Sequence, residues 1–99
     1  MQQSHHDDRR LETYRVRITG KVQGVGYRHA TVRQAHALKI TGWVMNVQAG
    51  AVEAVIQGSV DQIDRMLQWM RVGPPAARVA EVDTTELATD RRYKHFEQR

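Results

Sequence analysis

The sequence predicts an α+β domain: a β-α-β-β-α-β sandwich in which two helices lie on one face of an antiparallel sheet, with a short extra strand at the C-terminus. Three observations predict it. Tyr14, Val16 and Ile18 alternate with Arg15, Arg17 and Thr19, the period of a half-buried strand. Val60, Ile63, Met66, Leu67 and Met70 recur at helical spacing. Glycine, proline and asparagine clusters separate runs of strand or helix length along the remainder.

The elements follow in order. Residues 1–10 are polar and unpatterned and read as a mobile tail. His5-His6-Asp7-Asp8 contains metal-ligand types, but a tail without a third fixed element does not hold a metal. Glu12 to Thr19 is the first strand. Gly20-Lys21-Val22-Gln23-Gly24-Val25-Gly26-Tyr27-Arg28 leads into a helix from Tyr27 to about Leu38, with Ala30, Val32, Ala35 and Leu38 as a thin apolar stripe. His36 reads as a surface or packing residue, and His29 stands beside Arg28. Ile40 to Val47 is a second strand, apolar at both parities. Gln48-Ala49-Gly50 is a short hairpin connection, and Ala51 to Gln57 a third strand ended by Gly58. Ser59-Val60-Asp61-Gln62 forms a capping box for the second helix, which Gly73-Pro74-Pro75 stops. The methionines of that helix read as core filler. Arg78 to Thr85 is a fourth strand, Glu86 to Arg92 a polar connection and Tyr93 to Gln98 a last edge strand. This is the split βαβ, ferredoxin-like order. In it strands one and two run in the same direction with strand three between them. Gly20 and Asn46 therefore lie at one end of the sheet, with roughly 10 Å between backbones two strand spacings apart.

Composition narrows the function classes. The chain has 99 residues, enough for one small domain. No apolar run approaches the ~20 residues of a membrane span. The first ten residues lack the apolar stretch of a secretory signal, so the expected location is the cytoplasm and no membrane partner is expected. There is no cysteine, hence no disulfide, thiolate nucleophile or zinc–thiolate site. The net charge is +4, and arginine supplies 12 of the 15 basic residues. That balance favours anionic partners, small phosphates or nucleic acid, although most of these charges read as solvated surface.

The glycine loop is the most informative stretch. Three glycines within seven residues allow positive φ and close approach to a bound group. A loop ending at a helix start offers unpaired N–H groups and the positive end of the helix dipole to an anion. Arg28 adds a planar fork of donors. The alternative is a plain strand–helix connection. The loop is not a Walker A motif, because Val22 stands where Ser or Thr must follow Gly20-Lys21. Nor is it the dinucleotide pattern, whose third glycine would fall at His29.

Gly20 to Arg28 resembles the acylphosphatase signature G-x-V-Q-G-V-x-[FY]-R. Gly42-Trp43-Val44-Met45-Asn46, followed by Gly50-Ala51-Val52-Glu53 and Gly58, resembles that family's second signature, and Gly73-Pro74-Pro75 and Phe96 resemble further family features. The resemblance spans about residues 12 to 99, so residues 11–99 read as an acylphosphatase-like domain behind the tail. Met45, where the family often has a basic residue, and the hairpin Gln48-Ala49-Gly50, where Asp-Gly is usual, depart from the pattern.

The resemblance implies metal-independent hydrolysis of a carboxyl–phosphate anhydride to a carboxylate and inorganic phosphate. It needs no cofactor and no metal. It implies that Arg28 binds the phosphoryl oxygens and that Asn46 orients the attacking water. Backbone N–H groups of Lys21, Val22, Gln23, Gly24, Val25, Gly26 and Tyr27 would form the phosphate-binding loop. Gln23 is expected to brace that loop and Tyr27 to anchor the helix start in the core. The chemistry is self-consistent. The leaving carboxylate has a conjugate acid of pKa roughly 4 and departs without a general acid. Phosphoryl transfer requires chiefly positioning and charge stabilisation. Magnesium would require carboxylates that the loop lacks.

The expected partner is a small-molecule acyl phosphate, with inorganic phosphate as product, and the expected state is a monomer. Two other readings share this element order. An RNA-recognition module needs stacking aromatics on its central strands, and Ala51 to Gln57 has none, so no nucleic acid partner is expected. An accessory domain would bind a carbamoyl or acyl phosphate with little turnover.

Overall fold

The computed structural model describes residues 10–99; the expected tail, including His5-His6-Asp7-Asp8, lies outside the described residues apart from Arg10. Five strands and two helices follow one another as β1 (Glu12–Lys21), α1 (Tyr27–Leu38), β2 (Thr41–Asn46), β3 (Val52–Gly58), α2 (Val60–Val72), β4 (Arg78–Glu86) and β5 (Phe96–Gln98). The sheet order is β4-β1-β3-β2-β5. As expected, β1 and β2 run in the same direction with β3 antiparallel between them.

Strand alternation sorts the side chains onto two faces. Val16 and Ile18 of β1, Val44 of β2 and Val52, Ala54 and Ile56 of β3 are buried beneath Ala35 of α1 and Ile63, Met66 and Met70 of α2. Burial of these apolar side chains is the main force holding the helices to the sheet. The predicted helix stripes shift slightly. In α1 the buried line is Tyr27, Thr31 and Ala35, while Ala30 is only half-buried. Thr31 is tolerated there because its hydroxyl donates to the Tyr27 carbonyl at 2.7 Å. In α2 the capping box forms as read: Ser59 Oγ accepts from Gln62 N–H, and Gln62 Oε1 accepts from Ser59 N–H at 2.8 Å. Val60, expected in the core stripe, is exposed in the first turn.

Strand ends move by one or two residues. β1 continues to Lys21 rather than stopping at Thr19, because a register shift at Thr19/Gly20 lets it keep pairing with β4. A Cβ at Gly20 would strike the Arg78 carbonyl, so only glycine fits where the strand bends. β2 and β3 each start one residue later than expected, since Ile40, Val47 and Ala51 belong to the connections.

The last strand requires a larger correction. It is Phe96–Gln98 rather than Tyr93–Gln98, and it pairs with β2 in parallel, so the sheet is mixed rather than wholly antiparallel. The reason is the route of the chain. β4 ends at Glu86 at the far end of the sheet. Residues 87–95 cross beneath the intervening strands to the opposite edge, so β5 sets out from the end where β2 also begins. The crossing is tied at several points. Leu87 N–H donates to Thr13 O at 2.8 Å, and Gly42 N–H donates to His95 O at 3.0 Å. Gln57, read as an ordinary strand residue, is 3% exposed and holds the middle. Its amide donates to Thr13 Oγ1 at 2.9 Å and Arg91 O at 2.7 Å, and accepts from Tyr93 N–H at 3.0 Å. β5 thereby climbs back to the end of the sheet where β1 and β2 finish.

Candidate active site

The loop between β1 and α1 is held from below and from the side. Val22 is buried in the core under the loop. Gln23 reaches sideways and donates to Val47 O at 2.8 Å and Ala51 O at 2.7 Å, the two carbonyls flanking the β2–β3 hairpin. One side chain thus sets the spacing between the loop and the end of β2. Gly24 and Gly26 take φ of 75° and 81°, the left-handed region, with open space where a Cβ would point. Glycine is favoured there for backbone conformation rather than for room. Gly26 caps α1 without any side-chain hydrogen bond.

Tyr27 fastens the helix start. It is 1% exposed, and its hydroxyl donates to Met70 O at 2.8 Å. Its ring packs against Trp69 with centroids 5.7 Å apart. Burial pushes the Tyr27 hydroxyl well above its ordinary value of 10.0. Gly73 closes the other side: a Cβ there would lie 2.9 Å from the Tyr27 ring.

These restraints surround a small hollow of about 110 Å³. Taking a water's share as ~30 Å³, it has the capacity of roughly three or four water-sized groups. The size suits one phosphoryl group rather than a nucleotide. Gly24, Gly26 and Arg28 line one side, and Asn46 and Gln98 the other; Val22, Tyr27 and His29 complete the wall. Among the described residues, no Asp or Glu side chain lines it. Among the described residues, the hydrogen bonds outside regular elements include none donated by backbone N–H groups of residues 22–26. The first turn of α1 adds N–H groups that no helical carbonyl can satisfy. The hollow is thus lined by donors and a guanidinium. Arg28 is half-buried, and its Nη1 donates to Arg99 O at 2.8 Å, which restrains the guanidinium.

Of the residues read from the sequence, Val22, Gly24, Gly26, Tyr27, Arg28 and Asn46 come together at this hollow. Lys21, Gln23 and Val25 do not line it. Lys21 is exposed and pairs with Arg78, Gln23 braces the hairpin, and Val25 packs against the core. Gln98, Arg99 and His29 were not read as site residues. Gln98 and Arg99 arrive only because β5 runs parallel to β2, a pairing that no local pattern in the last seven residues announces. His29 carried one signal, its position next to Arg28.

Comparison with known proteins points to one family. The acylphosphatase family model matches residues 14–98. An acylphosphatase of Paraburkholderia xenovorans is 65% identical over 91 residues, covering 92% of this chain and 94% of that protein. The structure of an acylphosphatase from Coxiella burnetii superposes with a TM-score of 0.86 at 35% identity, covering all of both chains. That of an acylphosphatase from Bacillus subtilis superposes with a TM-score of 0.85 at 29% identity, covering 90% of this chain and 98% of the other. By sequence, by fold and by this family-model match, the chain belongs to the acylphosphatase family, enzymes that hydrolyse acyl phosphates.

Proposed function

We propose that the chain hydrolyses acyl phosphates without a metal, as a monomer in the cytoplasm, with Arg28 and Asn46 as its catalytic residues. The observation that carries this reading is the meeting of a guanidinium, a side-chain amide and a glycine loop around one hollow of phosphoryl size that no Asp or Glu among the described residues lines. In this mechanism the loop N–H groups and Arg28 hold the equatorial phosphoryl oxygens, where charge is borne during transfer. The Asn46 amide orients a water opposite the leaving group. The water oxygen bonds to phosphorus as the bond from phosphorus to the acyl oxygen breaks. The electron pair leaves on the carboxylate, and the water's proton passes to phosphate or solvent. A carboxylate is a good enough leaving group that no general acid is needed.

The open face of the sheet speaks against the RNA-recognition alternative. β1 and β3 present Arg15, Arg17 and Glu53 there, Val55 between them is buried, and Tyr14 lies on the helix side of β1. Trp43 of β2 is covered by the Arg99 guanidinium, 4.8 Å from the ring centroid.

The test is hydrolysis of benzoyl phosphate in EDTA by the wild type, Arg28→Gln and Asn46→Ala. Rapid turnover lost in both folded variants, with weaker phosphate inhibition in Arg28→Gln, is the expected result. A folded wild type with no turnover above background refutes it. Sedimentation of the purified chain checks the monomer.

A further inference from the structure

A second hollow, of about 430 Å³, lies between α1 and the end of α2. His29 lines both it and the phosphate hollow, whereas the recess of about 280 Å³ beside β5 shares no lining residue with the phosphate site. A substrate held by its phosphoryl group therefore has an adjoining recess on one side, over His29. The walls there are Trp69, Pro74 and Pro75 from the α2 side and Ala30 from the α1 side, a surface suited to a flat apolar body. The wall is fixed to the site itself, because Trp69 packs on Tyr27, the first residue of α1.

The polar residues of this groove carry a direction. Arg33 lines it one helical turn beyond His29, roughly 6 Å along the axis. Arg33 is exposed and forms no ion pair among the described residues. Among the described residues, no Asp or Glu lines the groove. A cation so placed, with no acid to neutralise it, faces whatever extends along the groove from the phosphate hollow.

We propose that this groove receives the acyl group of the substrate, and that Arg33 selects acyl groups with a flat apolar body and a negative charge at its far end, about one helical turn beyond His29. The inference rests on the hydrolase reading above. Arg33 acts here as a specificity residue and takes no part in bond breaking.

The experiment compares acetyl phosphate, too short to enter the groove, with benzoyl phosphate and 4-carboxybenzoyl phosphate, on wild type, Arg33→Ala, Arg33→Lys and Arg33→Glu. For 4-carboxybenzoyl phosphate, Arg33→Ala is expected to lower kcat/KM by about three- to tenfold, the range of a partly solvated ion pair. The loss should appear in KM, with kcat little changed. Arg33→Lys should restore most of it, and Arg33→Glu should lower it further. Acetyl phosphate should stay within about twofold in all variants. If the wild type hydrolyses all three and Arg33→Ala leaves the ratio of 4-carboxybenzoyl to acetyl phosphate unchanged, the groove assignment is overturned and the hydrolase reading stands. If none is hydrolysed, both are overturned.

Discussion

Gln23 offers the sharpest test of how the site is held. Its amide nitrogen bridges Val47 O and Ala51 O, on either side of the hairpin that follows Asn46. Ala51 O already accepts from Val47 N–H at 3.0 Å, so the amide is its second donor. Each hydrogen bond contributes about 1 kcal/mol net, and the trimmed side chain adds a little lost packing, so Gln23→Ala should cost about 2–3 kcal/mol. Gln23→Leu separates the two causes. It keeps the volume but holds water away from two carbonyls that have lost their donor, and should cost at least as much as alanine. In urea titrations, with a slope of about 1–1.5 kcal/mol per molar, the midpoint falls by roughly 1.5–2.5 M without a change of slope. The same variants let the loop drift from Asn46. Displacements approaching 1 Å cost up to about a hundredfold in rate, so a fall of roughly tenfold in kcat for benzoyl phosphate is expected. A Gln23→Leu variant as stable as the wild type within about 0.5 kcal/mol would show that filling space, not hydrogen bonding, is what Gln23 contributes.

Other perturbations follow from single contacts. The Tyr27 hydroxyl is held protonated by burial, so the folded chain retains a proton that the unfolded chain releases above pH 10; stability should fall there by up to ~1.4 kcal/mol per pH unit. Tyr27→Phe should lose most of that alkaline slope while costing about 1 kcal/mol at neutral pH for the bond to Met70, as denaturant titrations at several pH values will read. A smaller slope should remain from Tyr14, raised by its own burial first and then by Glu12, Glu86 and Asp64. Ala49 sits at φ 66° in the connection Gln48–Gly50, a left-handed conformation that costs an alanine about 1 kcal/mol; Ala49→Asn should recover about 0.5–1 kcal/mol and raise Tm by several degrees. Gly42 has φ 135° and Val55 O lies where a Cβ would stand, so Gly42→Ala should leave little folded protein by circular dichroism.

Local signals carried most of the fold. α1 begins at Tyr27 and α2 at Val60 as read, because a glycine cap and a capping box are written in a few adjacent residues. Arg28 and Asn46 were legible as a pair, since split βαβ topology brings the ends of β1 and β2 together. What escaped reading was non-local. Gln57 bonds a backbone segment 34–36 residues away, and nothing around it distinguishes it from a solvated strand glutamine. The Arg28–Arg99 hydrogen bond joins residues 71 apart, and depends on a strand of three residues whose direction is set by the route of the chain rather than by its own composition.

The position of β4 bears on how copies of this chain behave together. β4 is nine residues long and lies at the margin of the sheet, so among the described residues one row of its peptide groups has no strand beside it. Such a row is a template on which a strand of another molecule can pair. Glu81, Asp83 and Glu86 punctuate it, and a second copy laid alongside would bring acid against acid. The opposite margin, β5, is only three residues long and offers little to pair with. The acids of β4 thus oppose pairing of that margin with another copy, while Asp83, in register with Arg17, also suits the sheet itself. Replacing all three with threonine should leave the fold intact while making concentrated solutions prone to association through that margin.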